Sequence, residues 1–178
     1  MKELFKTEGK ENRRIPLAVR MRPEKIDEYA GQDHLLGEGK ILRKLIERDN
    51  IPSMILFGPP GCGKTALAFL IAKQTKRPFY FLNAVTSTVA DVREVINVAR
   101  EKLKETGKTT ILFLDEISHF NKLQQDALMR DVEEGIITLI GATTHNPYFY
   151  INTPLLSRCN VFELKPLTAQ DIEKILKS

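Results

Sequence analysis

The segment "GPPGCGKT" at residues 58–65 constrains the fold more than any other stretch of the chain. It fits the spacing G-x-x-x-x-G-K-[ST] and stands between an apolar run, "SMILFG" (53–58), and a segment of helical composition, "KTALAFLIAKQT" (64–75). A glycine-rich turn joining a buried strand to a helix curls the backbone, so that successive N–H groups converge on one point. The dipole of the following helix adds positive potential there. A turn of this kind cradles phosphate. Lys64 is expected to reach the β- and γ-phosphates of a nucleotide, and the Thr65 hydroxyl to ligate Mg²⁺. Gly58, Pro59, Pro60, Gly61, Cys62, Gly63 and Ala66 complete the predicted ATP-binding stretch, Cys62 through its backbone alone.

The rest of the chain alternates between two periodicities. "FYFLNA" (79–84), "TTILFLDEI" (109–117), "IITLIGATT" (136–144) and "NVFEL" (160–164) read as strands. "VADVREVINVAREKL" (89–103) places Val89, Val92, Ile96, Ala99 and Leu103 at helical spacing, and "NKLQQDALMRDVEEG" (121–135) is a helix stopped by Gly135. The almost uninterrupted apolar run at 109–117 predicts a strand covered on both faces. The expected fold is therefore α/β, a doubly wound five-stranded parallel sheet with right-handed crossovers. Before the first strand, an extended lead-in is predicted, because Pro16 and Pro23 disfavour helix in the residues that precede them. A short helix from about 40 to 48 follows it. Residues 1–15 read as a loose arm and 16–166 as the core. Residues 167–178, with Thr168 and Asp171 at capping-box spacing, read as the opening of a helical lid, in a trimmed sequence or a natural short form.

Composition narrows the chemistry. A chain of 178 residues buries enough surface to need no staple. Cys62 and Cys159 form no ligand pattern, and His34, His119 and His145 are scattered, which argues for a reducing cytosolic setting without structural metal. No apolar run approaches the ~20 residues needed to span a bilayer. A formal net charge of +4 leaves nucleic acid open as a partner.

Hydrolysis needs groups beyond the cradle. Asp115 and Glu116 end the third strand, where open α/β sheets bind ligands. Asp115 is expected to hold the Mg²⁺ shell, and Glu116 to act as general base on the attacking water. Asn83, at the end of "FLNA", is expected to hydrogen-bond Glu116 and restrain it, unless it is an ordinary turn residue. Thr144, ending "IGATT", could meet the γ-phosphate or its water, or could simply be a β-favouring residue. Arg158 in "TPLLSRC" stands beside a strand end with no obvious partner in its own chain.

Together "GPPGCGKT", "FLDEI", "GATT" and "SRC" resemble the AAA+ ATPases of the clamp-loader clade. "PLAVRMRPEKIDEYAGQDHLLGEGK", "FNKLQQDAL" and "GIITLIGATTHNPYFYINTPLLSRC" narrow the resemblance to the MgsA/RarA replication-associated recombination ATPases, over residues 16 to about 168. The resemblance implies a DNA-dependent ATPase in replication-fork maintenance, recombination and repair. It also implies a cytoplasmic, nucleoid-associated homotetramer (nuclear in a eukaryote) that meets forked or junction DNA and single-stranded-DNA-binding protein. Arg158 becomes the arginine finger, acting on the γ-phosphate held by the next protomer. The lead-in would cover the adenine, with Arg22, Pro23, Gly31 and Gln32 carrying that match. Relatives add a lid with a second sensor arginine and a tetramerisation domain, so this chain alone is expected to be largely monomeric and a weak ATPase. Ser118 and His119 depart from the His-Arg pair more often found in relatives. Lys102, Lys104, Lys108, Arg93 and Arg100 form a candidate DNA face, diluted by Glu101 and Glu105. Two other readings stay open: a nucleotide-gated recruitment platform that needs neither Glu116 nor Arg158, and a clamp-loader subunit, which "HNPYFYIN" disfavours.

Overall fold

Five strands, β1 (Met54–Phe57), β2 (Phe79–Asn83), β3 (Thr110–Asp115), β4 (Ile137–Thr143) and β5 (Asn160–Glu163), pair in the order β2-β3-β4-β1-β5. Every neighbouring pair is parallel. The computed structural model describes residues 17–177. The arm expected over 1–15 lies outside the described residues.

Alternation along the central strands sets the two layers. Ile111 and Phe113 of β3 pack into one cluster and Leu112 and Leu114 into the other, and all four are fully buried. The first cluster is roofed by α2 (Asp33–Leu36), α3 (Ile41–Glu47) and α4 (Lys64–Thr75). The second is closed by α5 (Val89–Thr106), α6 (Lys122–Glu133) and the segment that carries Ile151 and Leu155. This is the doubly wound parallel sheet expected from the continuous apolar strands. The helix caps follow local chemistry. Thr88 accepts from the Asp91 N–H at 3.3 Å and Asp91 returns the bond, while Asn121 and Gln124 do the same for α6.

One expectation requires correction. The lead-in is not extended: α1 (Leu17–Arg20), a 3₁₀ turn at Ile26–Glu28 and α2 fill it with short helical turns. A proline restrains the residue before it, whereas the residues after it are free to turn. Likewise the stretch between β4 and β5 holds two one-turn helices, α7 (Pro147–Tyr150) and α8 (Thr153–Leu156). The Asn146 and Asn152 side chains cap them, and a proline stands in the first turn of each. Asparagine followed by proline at the next one or two positions was the legible signal for both. The chain then enters α9 (Ala169–Lys177), where Thr168 and Asp171 form the expected reciprocal bonds.

Candidate functional site

The parallel register gathers the carboxyl ends of four strands along one edge. Phe57 lies opposite Thr143, Leu114 opposite Gly141, and Asn83 opposite Asp115. The turn after β1 therefore rises beside the ends of β4 and β3. Its first residue donates from the Gly58 N–H to Thr143 O at 3.3 Å. A Cβ at Gly58 would stand 2.3 Å from Leu164 O, so backbone packing alone demands glycine there. At Gly61, φ is +75° and nothing lies within 4 Å of where a Cβ would project. The turn is open on that side.

Lys64 begins α4 and is buried. Its Nζ donates to Gly58 O at 2.8 Å and Pro59 O at 3.0 Å, so the ammonium is satisfied by carbonyls of its own turn. A phosphate oxygen offers a stronger, charge-assisted acceptor than either. No hydrogen bond ties the Thr65 hydroxyl among the described residues.

Asp115 ends β3, and burial followed by the charge of Glu116 pushes its carboxyl above the usual aspartate range. The Glu116 N–H and the Lys64 ammonium act against that shift. Glu116 itself has φ +51° and ψ +46°, a left-handed conformation that non-glycine residues seldom adopt. Its Oε2 is buried without a hydrogen-bond partner. Strain of this kind and an unsatisfied buried oxygen each cost of order 1–3 kcal/mol, and they persist at sites that use them. Gly141 explains part of the geometry. A Cβ there would meet the Ile117 side chain at 3.0 Å, and Ile117, fully buried, anchors the turn that follows Glu116.

Asn83 sits beside this pair in the sheet but does not restrain Glu116. Its Oδ1 accepts from the Val85 N–H at 2.9 Å, capping the turn after β2. Strand β4 ends at Thr143, whose buried hydroxyl donates to Ser118 Oγ at 3.0 Å. Thr144 is the first residue beyond the strand, half-buried, and its hydroxyl makes no hydrogen bond among the described residues.

A cleft of about 830 Å³ opens next to the turn, between the lead-in and α9. Arg22 and Pro23 line it, together with Met21, Tyr29, Gly61 and Ala66. The Arg22 guanidinium lies 3.9 Å from the centre of the Phe69 ring. Gly31 and Gln32 do not line the cleft. Gln32 is buried, donating to Cys62 O at 3.3 Å and Lys165 O at 2.7 Å and accepting from the Lys165 N–H. It straps the lead-in to the turn and to the chain after β5. Gly31 is packed against Leu167 and Asp171. Tyr29 was not legible as a site residue. Its hydroxyl donates to Gly63 O at 3.1 Å, and burial pushes its phenol above the usual tyrosine range.

Arg158 does have a partner in its own chain. Its Nε is ion-paired with Glu133 Oε1 at the end of α6. The neighbouring Cys159 thiol is pushed by burial up to about 12, so it stays protonated at neutral pH. On the candidate DNA face, Arg100 is bound to Asp131 at 2.6 Å, which neutralises part of that charge.

The residues fit a magnesium-bound nucleotide. The turn is open at Gly61, a carboxylate oxygen of Glu116 is unsatisfied, and the Thr65 hydroxyl and Asp115 stand ready as oxygen donors. Among the described residues, no group of three or more His, Cys, Asp or Glu converges on one point. A cation here would take most of its ligands from phosphate and water, as Mg²⁺ does.

Residues 54–167 match the family described as "ATPase family associated with various cellular activities (AAA)". The chain belongs to the AAA ATPases. It is 52% identical over 161 residues to replication-associated recombination protein A of Escherichia coli K12, covering 90% of this chain and 36% of that protein. It is 48% identical to ATPase WRNIP1 of Dictyostelium discoideum, covering 97% of this chain and 20% of that one. The chain thus spans about a third or less of these relatives. Among solved structures it resembles the RuvB Holliday junction branch migration motor of Thermotoga maritima, with TM-score 0.68 and 28% identity over 88% of this chain and 53% of that one. No helix among the described residues is long and apolar enough to cross a membrane.

Proposed function

We propose that the chain is the ATP-binding and ATP-hydrolysing core of a DNA-dependent ATPase that maintains replication forks and serves recombination and repair. The observation that carries this reading is Glu116, held left-handed with a buried, unpartnered carboxylate oxygen beside the open turn of Lys64. A side chain kept in that state has a task that the fold itself does not supply.

In this reading the N–H groups of 61–65 and the Lys64 ammonium bind the triphosphate, the ammonium leaving the carbonyls of Gly58 and Pro59. Thr65 and Asp115 would hold Mg²⁺, which neutralises phosphate charge when bound. Glu116 takes the proton of the attacking water, and Thr144 orients that water or the γ-phosphate. Arg22, Pro23 and Tyr29 line the place of the base. Arg158 acts on the triphosphate of a neighbouring copy. The name of the Escherichia coli relative supports replication and recombination as the setting. The full-length protein would work as a homotetramer on forked or junction DNA, with single-stranded-DNA-binding protein as a partner, in the cytoplasm or nucleus.

The test is ATP turnover by the full-length protein with and without forked DNA. Turnover should rise with the fork. Glu116→Gln should lower it about 10²- to 10⁴-fold while ATP stays bound. Retention of biological function by Glu116→Gln would favour the recruitment platform instead.

A further inference from the structure

The ion pair of Arg158 is one of three contacts that hold its guanidinium. Nε meets Glu133 Oε1, and Nη1 donates to Pro154 O at 3.2 Å and Ser157 Oγ at 2.7 Å. Nη2 makes no hydrogen bond among the described residues. Three anchors from α6, α8 and the turn after it thus fix the plane of the guanidinium and leave only Nη2 unengaged among the described residues. Glu133 is given over to this contact. Its neighbour Glu134 is taken by Arg130 at 2.7 Å and approached by Arg100 at 3.7 Å, whereas Glu133 has no partner but Arg158 among the described residues. The side chains of Arg158 and Glu133 are 43% and 40% exposed, so the pair can be reached from outside.

A carboxylate that embraced Nε and Nη2 together would occupy the fork that recognises phosphate. One that takes Nε alone, with Nη1 held by Pro154 and Ser157, leaves the two Nη2 N–H groups to meet phosphate. An unanchored arginine must surrender its rotamer freedom on each docking, whereas an anchored one has already done so.

We propose that Glu133 is the positioning residue for Arg158, presenting its Nη2 edge to a γ-phosphate oxygen held by a second copy of the chain. This rests on the reading that Arg158 acts across a subunit boundary.

The test uses the full-length enzyme. Glu133→Ala should lower kcat about 10-fold or more, as loss of an orienting partner does elsewhere. KM for ATP should change less than about twofold, because each protomer's own turn binds the substrate. Glu133→Gln, whose amide oxygen still accepts from Nε, should fall between the two. In an Arg158→Ala background, Glu133→Ala should have almost no further effect on kcat. An unchanged or raised kcat in Glu133→Ala, or an equal loss in both backgrounds, would overturn the positioning role. Full turnover in Arg158→Ala would instead overturn the cross-subunit reading on which it rests.

Discussion

Asp115 and Glu116 share one strand end, yet their environments differ. Asp115 has its carboxyl pushed up by burial first and by Glu116 second. Between the unfolded value of about 3.9 and the raised folded value, the native chain holds a proton that the unfolded chain has released. Stability is therefore greatest at the acid end of that window and falls as pH rises through it. Asp115→Asn should raise the melting temperature of the nucleotide-free protein at pH 7, and the gain should vanish below about pH 4. Melting curves at both pH values check this; an equal gain at both would contradict it. Gly63 makes a steric counterpart: its φ is +101°, and a Cβ would stand 2.3 Å from the Tyr29 hydroxyl. Gly63→Ala should cost about 1–3 kcal/mol in denaturant unfolding and weaken nucleotide binding. At this scale the placement of Lys64, Thr65, Asp115 and Glu116 at the ends of β1 and β3 was legible, because they stand at fixed offsets in short motifs. The place of Gln32 was not. Its bonds to Cys62 and Lys165 join positions 30 and 133 residues apart, which no local pattern encodes. The partner of Arg158 was hidden for the same reason, 25 residues upstream on another helix.

At the scale of elements, the strands and long helices were readable because burial imposes periodicity on them. Helix α4 occupies the range that its composition suggested, and α5 continues three residues past the expected end, to Gly107 at its C-cap. The one-turn helices α1, α2, α7 and α8 are too short to show a period. Capping asparagines and prolines mark α7 and α8, whereas α2 has no side-chain cap. The centre of the sheet should be the least forgiving part of the fold. Phe113 is fully buried, 6.2 Å from the Phe79 ring centre and 5.5 Å from that of Phe81. Phe113→Ala should destabilise the chain by about 3–5 kcal/mol, measured by urea unfolding. A loss below about 1 kcal/mol would mean that the layer relaxes around the void.

For the whole molecule, fold and family are established together by the sheet order, the match over 54–167 and the likeness to RuvB. Assembly is the level at which the sequence spoke only through resemblance. If Arg158 serves a neighbouring nucleotide, the chain by itself should turn over ATP far more slowly than the full-length protein, by about 10³- to 10⁵-fold where the arginine is the limiting part. Turnover near 1 s⁻¹ by the isolated chain would contradict that expectation. Beneath assembly lies the simpler claim that the turn ahead of Lys64 is where the triphosphate binds. Calorimetric titration of Mg·ATP into the chain and its Lys64→Ala variant tests it most directly. The wild type should bind, and a variant that melts at the same temperature should bind at least about 10-fold more weakly. Equal affinity in the two proteins would contradict it.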